Sequence, residues 1–300
     1  MGALELAEQR GLEATTSNDG SSAATESQDG LTSLNGLRRM AALRSGTVTE
    51  LRLLNELVYI SRKTEEVIAP LAQLLSRSAS ALTLLDLSGA QMDTDEEIPA
   101  LAATLPSLTS MSGLSLTSLQ PCKLCSRGAA LLLSKIDALP SLLALDIGEN
   151  DLGPAGAPSL GQSLVGLSEL QCLWARANGF GAEGATGLCQ ALAALTQMTH
   201  LDLGSNRLGE GGAIALKAGL AGMERLLKLF LEDNEVGPEG GRAVAWAMQG
   251  RTSLRELVLI HNDIGREVEQ TIRAEWGLRV GGWRGEEELG LHLLKSDESS

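Results

Sequence analysis

The chain has 300 residues with a hydrophobic content of 43%, enough for a sizeable core, but only four tryptophans, two phenylalanines and one tyrosine. Aliphatic side chains must therefore fill that core. The formal net charge of −14 repels phosphate backbones and anionic lipids, which argues against nucleic acid or a membrane surface as the main partner and favours a protein with a basic face.

The N-terminal segment is predicted to lie outside the main folded core. Its first residues, MGALELAEQR, include acidic side chains and no long apolar run, so we expect neither a secretory signal nor a membrane-spanning segment. A polar, small and acidic composition predicts a disordered arm over residues 1–30. Leucines at helical spacing in residues 31–47 predict a short helix that caps the first repeat. Four cysteines without an export signal favour reduced thiols, in the cytoplasm or the nucleus.

The rest of the chain is a repeat array, with a constant step between equivalent residues over much of its length. In the unit that begins at Met198, apolar residues occupy places one, four, six and eleven, and an asparagine occupies place nine. A glycine follows three residues after each such asparagine. Stacked units of this kind predict an extended binding surface rather than a catalytic pocket. The recurring asparagines are Asn150, Asn178, Asn206, Asn234 and Asn262, and the glycines are Gly153, Gly181, Gly209, Gly237 and Gly265.

Further units extend the array toward the N-terminus. Cys122 precedes Asn150 by the same step that separates the asparagines, so it is assigned to place nine of a further unit. Leu114 then occupies place one of that unit. Its concave-face residues are then Leu116, Ser118 and Gln120. Two looser units upstream are framed by Leu82, Leu85, Leu87, Ala90 and Met92, and by Val48, Leu51, Leu53 and Val58. The predicted repeat domain spans residues 48–280 with about eight units, six of them regular from residue 114, and residues 281–300 are predicted to form a C-terminal cap and an acidic tail.

The pattern L-x-x-L-x-L-x-x-N/C-x-L resembles that of the leucine-rich repeat family. The 28-residue unit with a helical second half is similar to the ribonuclease-inhibitor-like subfamily. This resemblance implies an α/β fold, a right-handed leucine-rich repeat solenoid or horseshoe with parallel β-strands on the concave face and α-helices on the convex face. It also implies that the side chains at place nine stack as a ladder.

Residue alternation predicts the same arrangement independently. In the fragment THLDLGS, Leu201 and Leu203 point to one side of a short strand, while His200 and Asp202 point to the other side. Apolar residues after the asparagine take helical spacing, so each unit is a strand followed by a helix. Pro158 would remove a hydrogen bond inside its helix, so we expect that helix to start late or to be irregular.

Candidate binding residues occupy places three, five and seven, which point out of the concave face. Place five carries two of the few aromatic side chains, Trp174 and Phe230, on either side of Asp202, and we expect both rings to be exposed. Aromatic and charged anchors of this kind are typical of protein interfaces, although isolated apolar residues also occur on any surface. The predicted partner-binding set is Trp174, Arg176, His200, Asp202, Lys228, Phe230, Glu232 and Val258.

Two cysteine patterns invite a chemical interpretation. Cys172 and His200 should be neighbours on adjacent strands, with Asp202 nearby, which suggests a thiolate nucleophile or a metal site. Regular rows also bring such residue types together by chance. The segment from Cys122 to Cys125 is a lone CxxC without the second pair that a zinc site needs. We therefore predict no catalytic residue, no metal site and no cofactor.

Trp246 is the notable residue of the convex side. Other units fill its place with Gln162, Gln190 and Ala218, which suggests that the place is exposed. Trp246 either marks a convex contact surface or packs on Met248 and a neighbouring helix.

These observations favour a non-enzymatic protein–protein interaction module or regulatory scaffold that binds a protein partner on its concave face. An alternative is a GTPase-activating protein resembling the Ran GTPase activators, which use an arginine-bearing loop in an early repeat; neither Arg52 nor Arg127 is a convincing counterpart. A third alternative is a fragment of a larger sensor protein.

Overall fold

The structure, a computed structural model, describes residues 50–52, 75, 81–88, 97–117, 131–279 and 291–292. Several predictions concern parts of the chain outside these residues. They are the disordered arm at 1–30, the cap at 31–47, the pair Cys122 and Cys125, Arg127 and most of the segment 281–300.

Short parallel strands form one sheet in chain order, each paired with the next strand along the chain. The strands in the described residues are β1 (Glu50–Arg52), β2 (Leu84–Asp86), β3 (Gly113–Ser115), β4 (Ala144–Asp146), β5 (Cys172–Trp174), β6 (His200–Asp202), β7 (Lys228–Phe230), β8 (Glu256–Val258) and β9 (Leu291–His292). A parallel sheet needs a crossover between successive strands, and the repeat supplies one in every unit. The predicted α/β solenoid with a parallel sheet is confirmed.

Helices form the crossovers and make the second layer of the array. Those that lie wholly within the described residues are α1 (Glu97–Thr104), α2 (Gly153–Leu164), α3 (Gly181–Ala194), α4 (Gly209–Ala221), α5 (Gly237–Ala247) and α6 (Arg266–Arg279), with 3₁₀ turns at Leu105–Ser107 and Ile136–Ala138. Each of α2 to α5 begins at the repeat glycine, and α2, α3, α4 and α5 pack side by side in that order.

The core lies between the sheet and the helices. Leu201 and Leu203 from one strand region and Leu216 and Leu220 from the following helix have no exposed surface. Full burial of such a side chain contributes about 1.5–3 kcal/mol relative to exposure. The same strand and helix places recur in each unit, so stacking makes one continuous aliphatic core.

A ladder of buried asparagines follows the strands. The Asn206 side-chain NH₂ donates to the carbonyl oxygens of Ala175 and Leu203, both at 2.9 Å, and its Oδ1 accepts the backbone N–H of Asn178 at 2.9 Å. Equivalent bonds join the other asparagines from residue 150 to residue 262. The site requires a short side chain with two donors and an acceptor, which explains why asparagine recurs there.

The backbone on both sides of the ladder is left-handed. Ser205 and Arg207, which flank Asn206, have φ values of 54° and 55°, and Gly209 has a φ of 64°. This turn redirects the chain from the strand to the helix. Glycine is the residue type that adopts such a backbone without steric cost, so the repeat glycine marks the last left-handed position before the helix.

The unit that contains Leu114 is longer than the sequence frame predicts. Leu114 pairs with Leu145, and Leu145 pairs with Leu173, so the first of these two steps along the chain is three residues longer than the second. Leu114 therefore occupies place four rather than place one. Leu116 occupies place six, and both leucines are fully buried. The prediction of Leu116 as a concave-face residue is wrong.

The register shift changes the neighbouring assignments in the same way. Gly113 and Ser115 hold places three and five of this unit. The leucine frame allowed both choices because Leu114 fits either place one or place four. Buried Met111 at place one decides between them, since the other frame would put Thr117 in the core. The remaining assignments of the first frame, Ser118, Gln120 and Cys122, lie outside the described residues.

The more distant units follow the assigned frame. Leu51 and Leu85, both predicted at place four, pair with each other, and Leu85 pairs with Leu114 at its corrected place four. At the other end, Leu291 pairs with Leu257 and adds a strand within the segment predicted to be a cap and tail.

The helix that contains Pro158 is continuous, contrary to the prediction of a late start or an irregularity. It runs from Gly153 to Leu164 with Pro158 inside it. Pro158 is exposed and lies against the small residue Gly187 of the next helix. One missing hydrogen bond near an exposed helix start does not offset the burial of the helix leucines.

Candidate functional site

The strand registers place the predicted binding residues in three rows across the concave side of the sheet. Neighbouring members of a row lie on strands that are about 4.8 Å apart. The whole predicted set therefore lies on one face of β5 to β8. From β4 to β8, row three contains Ala144, Cys172, His200, Lys228 and Glu256, row five contains Asp146, Trp174, Asp202, Phe230 and Val258, and row seven contains Gly148, Arg176, Gly204, Glu232 and Ile260.

The aromatic rings of row five are half-buried, and the prediction that they are exposed is wrong. Trp174 and Phe230 both have intermediate exposure, and Val258 at the end of the row is only 6% exposed. Side chains on adjacent strands stand close enough to cover one another. The two rings stand on the strands on either side of Asp202.

Row seven contains an ion pair that skips one strand. Arg176 Nη1 donates to Glu232 Oε1, and Arg176 Nη2 donates to Ser205 Oγ at 3.3 Å. The arginine reaches from β5 to the end of β7 by passing over Gly204. A β carbon on Gly204 would lie 2.7 Å from Glu232 Oε1, so glycine provides the space for this pair.

Glu232 is unusually buried for a glutamate on an open face. Its side chain is 10% exposed, compared with 41% for Arg176. Its second carboxylate oxygen, Oε2, is buried and has no hydrogen-bond partner among the described residues. A buried carboxylate oxygen without a donor costs free energy, so this position of the face is polar but incompletely satisfied.

Asp202 lies next to this pair and is also poorly solvated. Its Oδ1 accepts the backbone N–H of Gly204 at 2.8 Å. Burial raises the pKa of Asp202 to about 6, against the lowering effect of that hydrogen bond, and the charge of Glu232 raises the pKa further while Arg176 lowers it. Burial likewise raises the pKa of Asp146, two strands away in the same row.

Row three carries a second ion pair at its β7–β8 end. Lys228 Nζ lies 3.2 Å from Glu256 Oε2, and the lysine side chain is 37% exposed. Lys228 of row three and Arg176 of row seven are thus already paired with glutamates. Asp146 and Asp202 form no ion pair within the described part of the chain.

Two residues important for this surface were not in the predicted set. Asp146 extends the alternation of row five to acid, aromatic, acid, aromatic, ending at Phe230. Gly204 makes room for the ion pair between Arg176 and Glu232. The sequence signal for Gly204 was a glycine in row seven with oppositely charged residues at the same place of the preceding and the following unit.

Comparison with known proteins agrees with the repeat architecture. A family model described as leucine-rich repeat matches residues 138–161 and 194–217, which contain β4 and β6. The fold is that of a leucine-rich repeat solenoid. No match is found among curated protein sequences.

A solved structure with a similar chain is the crystal structure of a TLR13-ssRNA13 complex. The identity is 15% and the TM-score 0.24, over 63% of this chain and 34% of that chain. Repeat solenoids in general present an extended concave surface that such proteins use for binding. The comparisons give no support to the alternative of a GTPase activator.

The structure does bring Cys172 and His200 together, but it does not arrange them for nucleophilic catalysis. Cys172 Sγ lies 3.8 Å from His200 Nδ1, and that nitrogen also lies 2.9 Å from Thr199 Oγ1. Cys172 is 1% exposed, so its thiol is closed to a substrate on the concave side. Among the described residues, no three histidine, cysteine, aspartate or glutamate side chains could hold a metal ion together.

Trp246 is exposed on the helical side of the solenoid. Its side chain is 55% exposed, and Lys217 Nζ lies 3.7 Å above the centre of its ring. A shallow depression of about 180 Å³ beside it is lined by α5 and α6, including Val268 and Ile272. Trp246 is thus a residue of the convex surface rather than of the packed interior. Its ring forms a cation–π contact with the ammonium group of Lys217 on the preceding helix.

No helix in the described ranges combines the length and apolar character needed to cross a lipid bilayer.

Proposed function

We propose that this leucine-rich repeat solenoid is a non-enzymatic protein–protein interaction module, or regulatory scaffold, that binds a protein partner on its concave face. The observation that carries the proposal is row five, where half-buried aromatic rings alternate with carboxylates along adjacent strands. Half-buried tryptophan and phenylalanine offer apolar area that a partner can cover. The contact residues are Trp174, Arg176, His200, Asp202, Lys228, Phe230, Glu232 and Val258.

The charge of the surface supports a partner with a basic face. Arg176 and Lys228 are engaged by glutamates, whereas Asp146 and Asp202 have no ion-pair partner in the described residues. The chain as a whole has a net charge of −14. Complementary charge on the partner would accelerate association and fix its orientation.

We also propose a repeat subfamily and a cellular location for this chain. The constant spacing of paired residues from β4 to β8 supports repeats of the ribonuclease-inhibitor-like type. Cys172 and Cys189 form no disulfide within the described residues, which fits a reducing compartment, and we place the protein in the cytoplasm or nucleus. The proposed interaction involves no cofactor, no metal ion, no nucleic acid and no membrane.

The test compares proteins captured from a cell extract by the intact chain and by a Trp174→Ala, Phe230→Ala double variant. Trp246→Ala is the matched control, because it removes an exposed aromatic ring from the opposite side of the solenoid. Circular dichroism first establishes that all three proteins are folded. A captured protein that the double variant loses and the control keeps is then reconstituted with the purified chain, and direct binding is measured.

Equal capture by the intact chain and the double variant would contradict binding on the concave face. Loss of the protein from the Trp246→Ala variant alone would move the contact to the convex side. A small GTPase among the proteins lost from the double variant would favour the activator alternative.

A further inference from the structure

The Asp202–Glu232 site is the part of the concave face that is least complete by itself. Both carboxylates stand beside Gly204: a β carbon there would lie 2.7 Å from Glu232 Oε1 and 3.2 Å from Asp202 Oδ1. Trp174 and Phe230 flank Asp202 in row five, one on each neighbouring strand. Two carboxylates therefore converge beside Gly204, and one of them, that of Asp202, lies between the two aromatic rings.

The positive charge supplied by the protein does not satisfy this pair. Arg176 contacts one oxygen of Glu232, and the other oxygen, Oε2, is buried with no donor in the part of the chain that the structure describes. Asp202 uses Oδ1 for the Gly204 N–H, and no basic side chain of the described residues forms an ion pair with it. The raised pKa of Asp202, caused first by burial, agrees with a carboxylate whose charge lacks compensation.

We infer that the Asp202–Glu232 site, next to the rings of Trp174 and Phe230, receives an arginine side chain of the protein partner. This inference rests on the proposed function and specifies the chemistry of the contact. A guanidinium group is planar and has several N–H donors, so it can bridge two carboxylates and lie against an aromatic face. Lysine offers a compact charge that cannot do both to the same extent.

Access to Glu232 requires one local movement. Arg176 is the more exposed member of its pair, with 41% of its side chain accessible, and its guanidinium can swing toward Ser205, which it already contacts. The incoming guanidinium then reaches Glu232 Oε2 and Asp202 together. Gly204 contributes no side chain that would separate the two carboxylates.

The experiment uses the full chain and a small probe, N-acetyl-arginine amide, with the tryptophan indole N–H signals followed by NMR. We expect the Trp174 signal to shift on titration, while the signal of Trp246, on the other side of the solenoid, stays in place. N-acetyl-citrulline amide has nearly the same shape without the charge and should give no shift. N-acetyl-lysine amide should bind several-fold more weakly than the arginine probe.

The key variant is Asp202→Asn, Glu232→Gln, which keeps the side-chain shapes and should weaken the arginine response at least fivefold. A charge-matched control, Glu235→Gln, Asp263→Asn, neutralises two exposed acids on the loops after β7 and β8 and should respond like the parent chain. If the double variant does not fold, Asp202→Asn alone serves, because its Oδ1 can still accept the Gly204 N–H.

Equal responses in the site variant and the charge-matched control would overturn the inference, since the probe would then follow net charge. A citrulline or lysine response as strong as that of arginine would also overturn it. The readout does not depend on the partner, so a chain that captures its partner through Trp174 and Phe230 but fails this test refutes the arginine site and leaves the proposed function standing.

Discussion

Gly204 and Glu232 are complementary: the space that a β carbon would fill at Gly204 is occupied by the Glu232 carboxylate, 2.7 Å from that position. The φ of Gly204 is not in the left-handed region, so the backbone itself would accept any residue. The glycine is therefore required by its neighbour in row seven and not by its own conformation.

Gly204→Ala should displace the Glu232 side chain and weaken its ion pair with Arg176. We expect the free energy of unfolding to fall by about 1 kcal/mol, the lower end for an extra methyl group in a packed site, as measured by urea denaturation. Gly148→Ala is the control in the same row, since its β carbon would meet no atom closer than 3.4 Å. Equal stability of the two variants would contradict the steric role of Gly204.

Replacement of a ladder asparagine should destabilise the array. Asn206→Leu removes the donors to Ala175 O and Leu203 O and the acceptor for the Asn178 N–H. Each buried backbone group left unpaired costs about 1–3 kcal/mol, so the midpoint of thermal unfolding should fall clearly. Gln190→Leu, an exposed amide on α3, should leave the midpoint nearly unchanged. An unaltered midpoint for Asn206→Leu would refute the structural role of the ladder.

Three glycines at the start of α4 should respond differently to alanine. Gly211→Ala should stabilise by about 0.5–1 kcal/mol, because the site is open and helical. Gly209→Ala should destabilise by about 1–2 kcal/mol through its φ of 64°, although its surroundings are empty. Gly212→Ala should destabilise through crowding, with its β carbon 3.1 Å from Ala182 and Ala185. Denaturation midpoints in a different order would contradict this assignment.

Ionisation of the Asp202 carboxyl group should destabilise the folded state of the partner-free protein at neutral pH. Its folded-state pKa of about 6 exceeds the ordinary value of 3.8, so the folded state holds the proton more tightly than the unfolded state. The contribution of Asp202 to the free energy of unfolding is fully present below pH 3.8 and is lost as the pH rises through about 6. At pH 7 the loss is of the order of 2–3 kcal/mol.

Asp202→Asn should therefore be more stable than the parent chain at pH 7 and no more stable near pH 4. The nearby charges of Glu232, Arg176 and Asp146 are unchanged in this variant, and the Asn side chain keeps an oxygen for the Gly204 N–H. Urea denaturation of both proteins at half-unit steps between pH 4 and 7 measures the difference. A constant difference across this range would contradict the raised pKa.

The sequence predicted the fold because the repeat is dictated by local requirements that recur. Asn206 and Gly209 each occupy a site with one demanding feature, four side-chain hydrogen bonds in one case and a left-handed backbone in the other. The unit at Leu114 was misplaced because a leucine satisfies two different places of the frame. Only the pairing with Leu145 decides which of them it fills.

The concave face was predicted in part, because strand alternation determines which residues share a face but not how far they cover one another. Trp174 and Phe230 belong to the same row as predicted, yet both are half-buried by their neighbours. The contact between Arg176 and Glu232 spans two strand steps and depends on the missing side chain at Gly204. Such contacts require side-chain geometry that a repeat pattern does not contain.

Because the ladder asparagines recur at a constant step, the number of units in the middle of the solenoid can change. Such a change alters the surface that a partner recognises. Removing the segment 179–206, one whole unit, would join Asn178 to Arg207 and let its side chain take over the bonds of Asn206. The same deletion would bring Trp174 beside Phe230 and remove Asp202 from between them. The array could thus gain or lose whole units and keep its framework. Each such event would change the order of the chemical groups that the concave face presents to a partner.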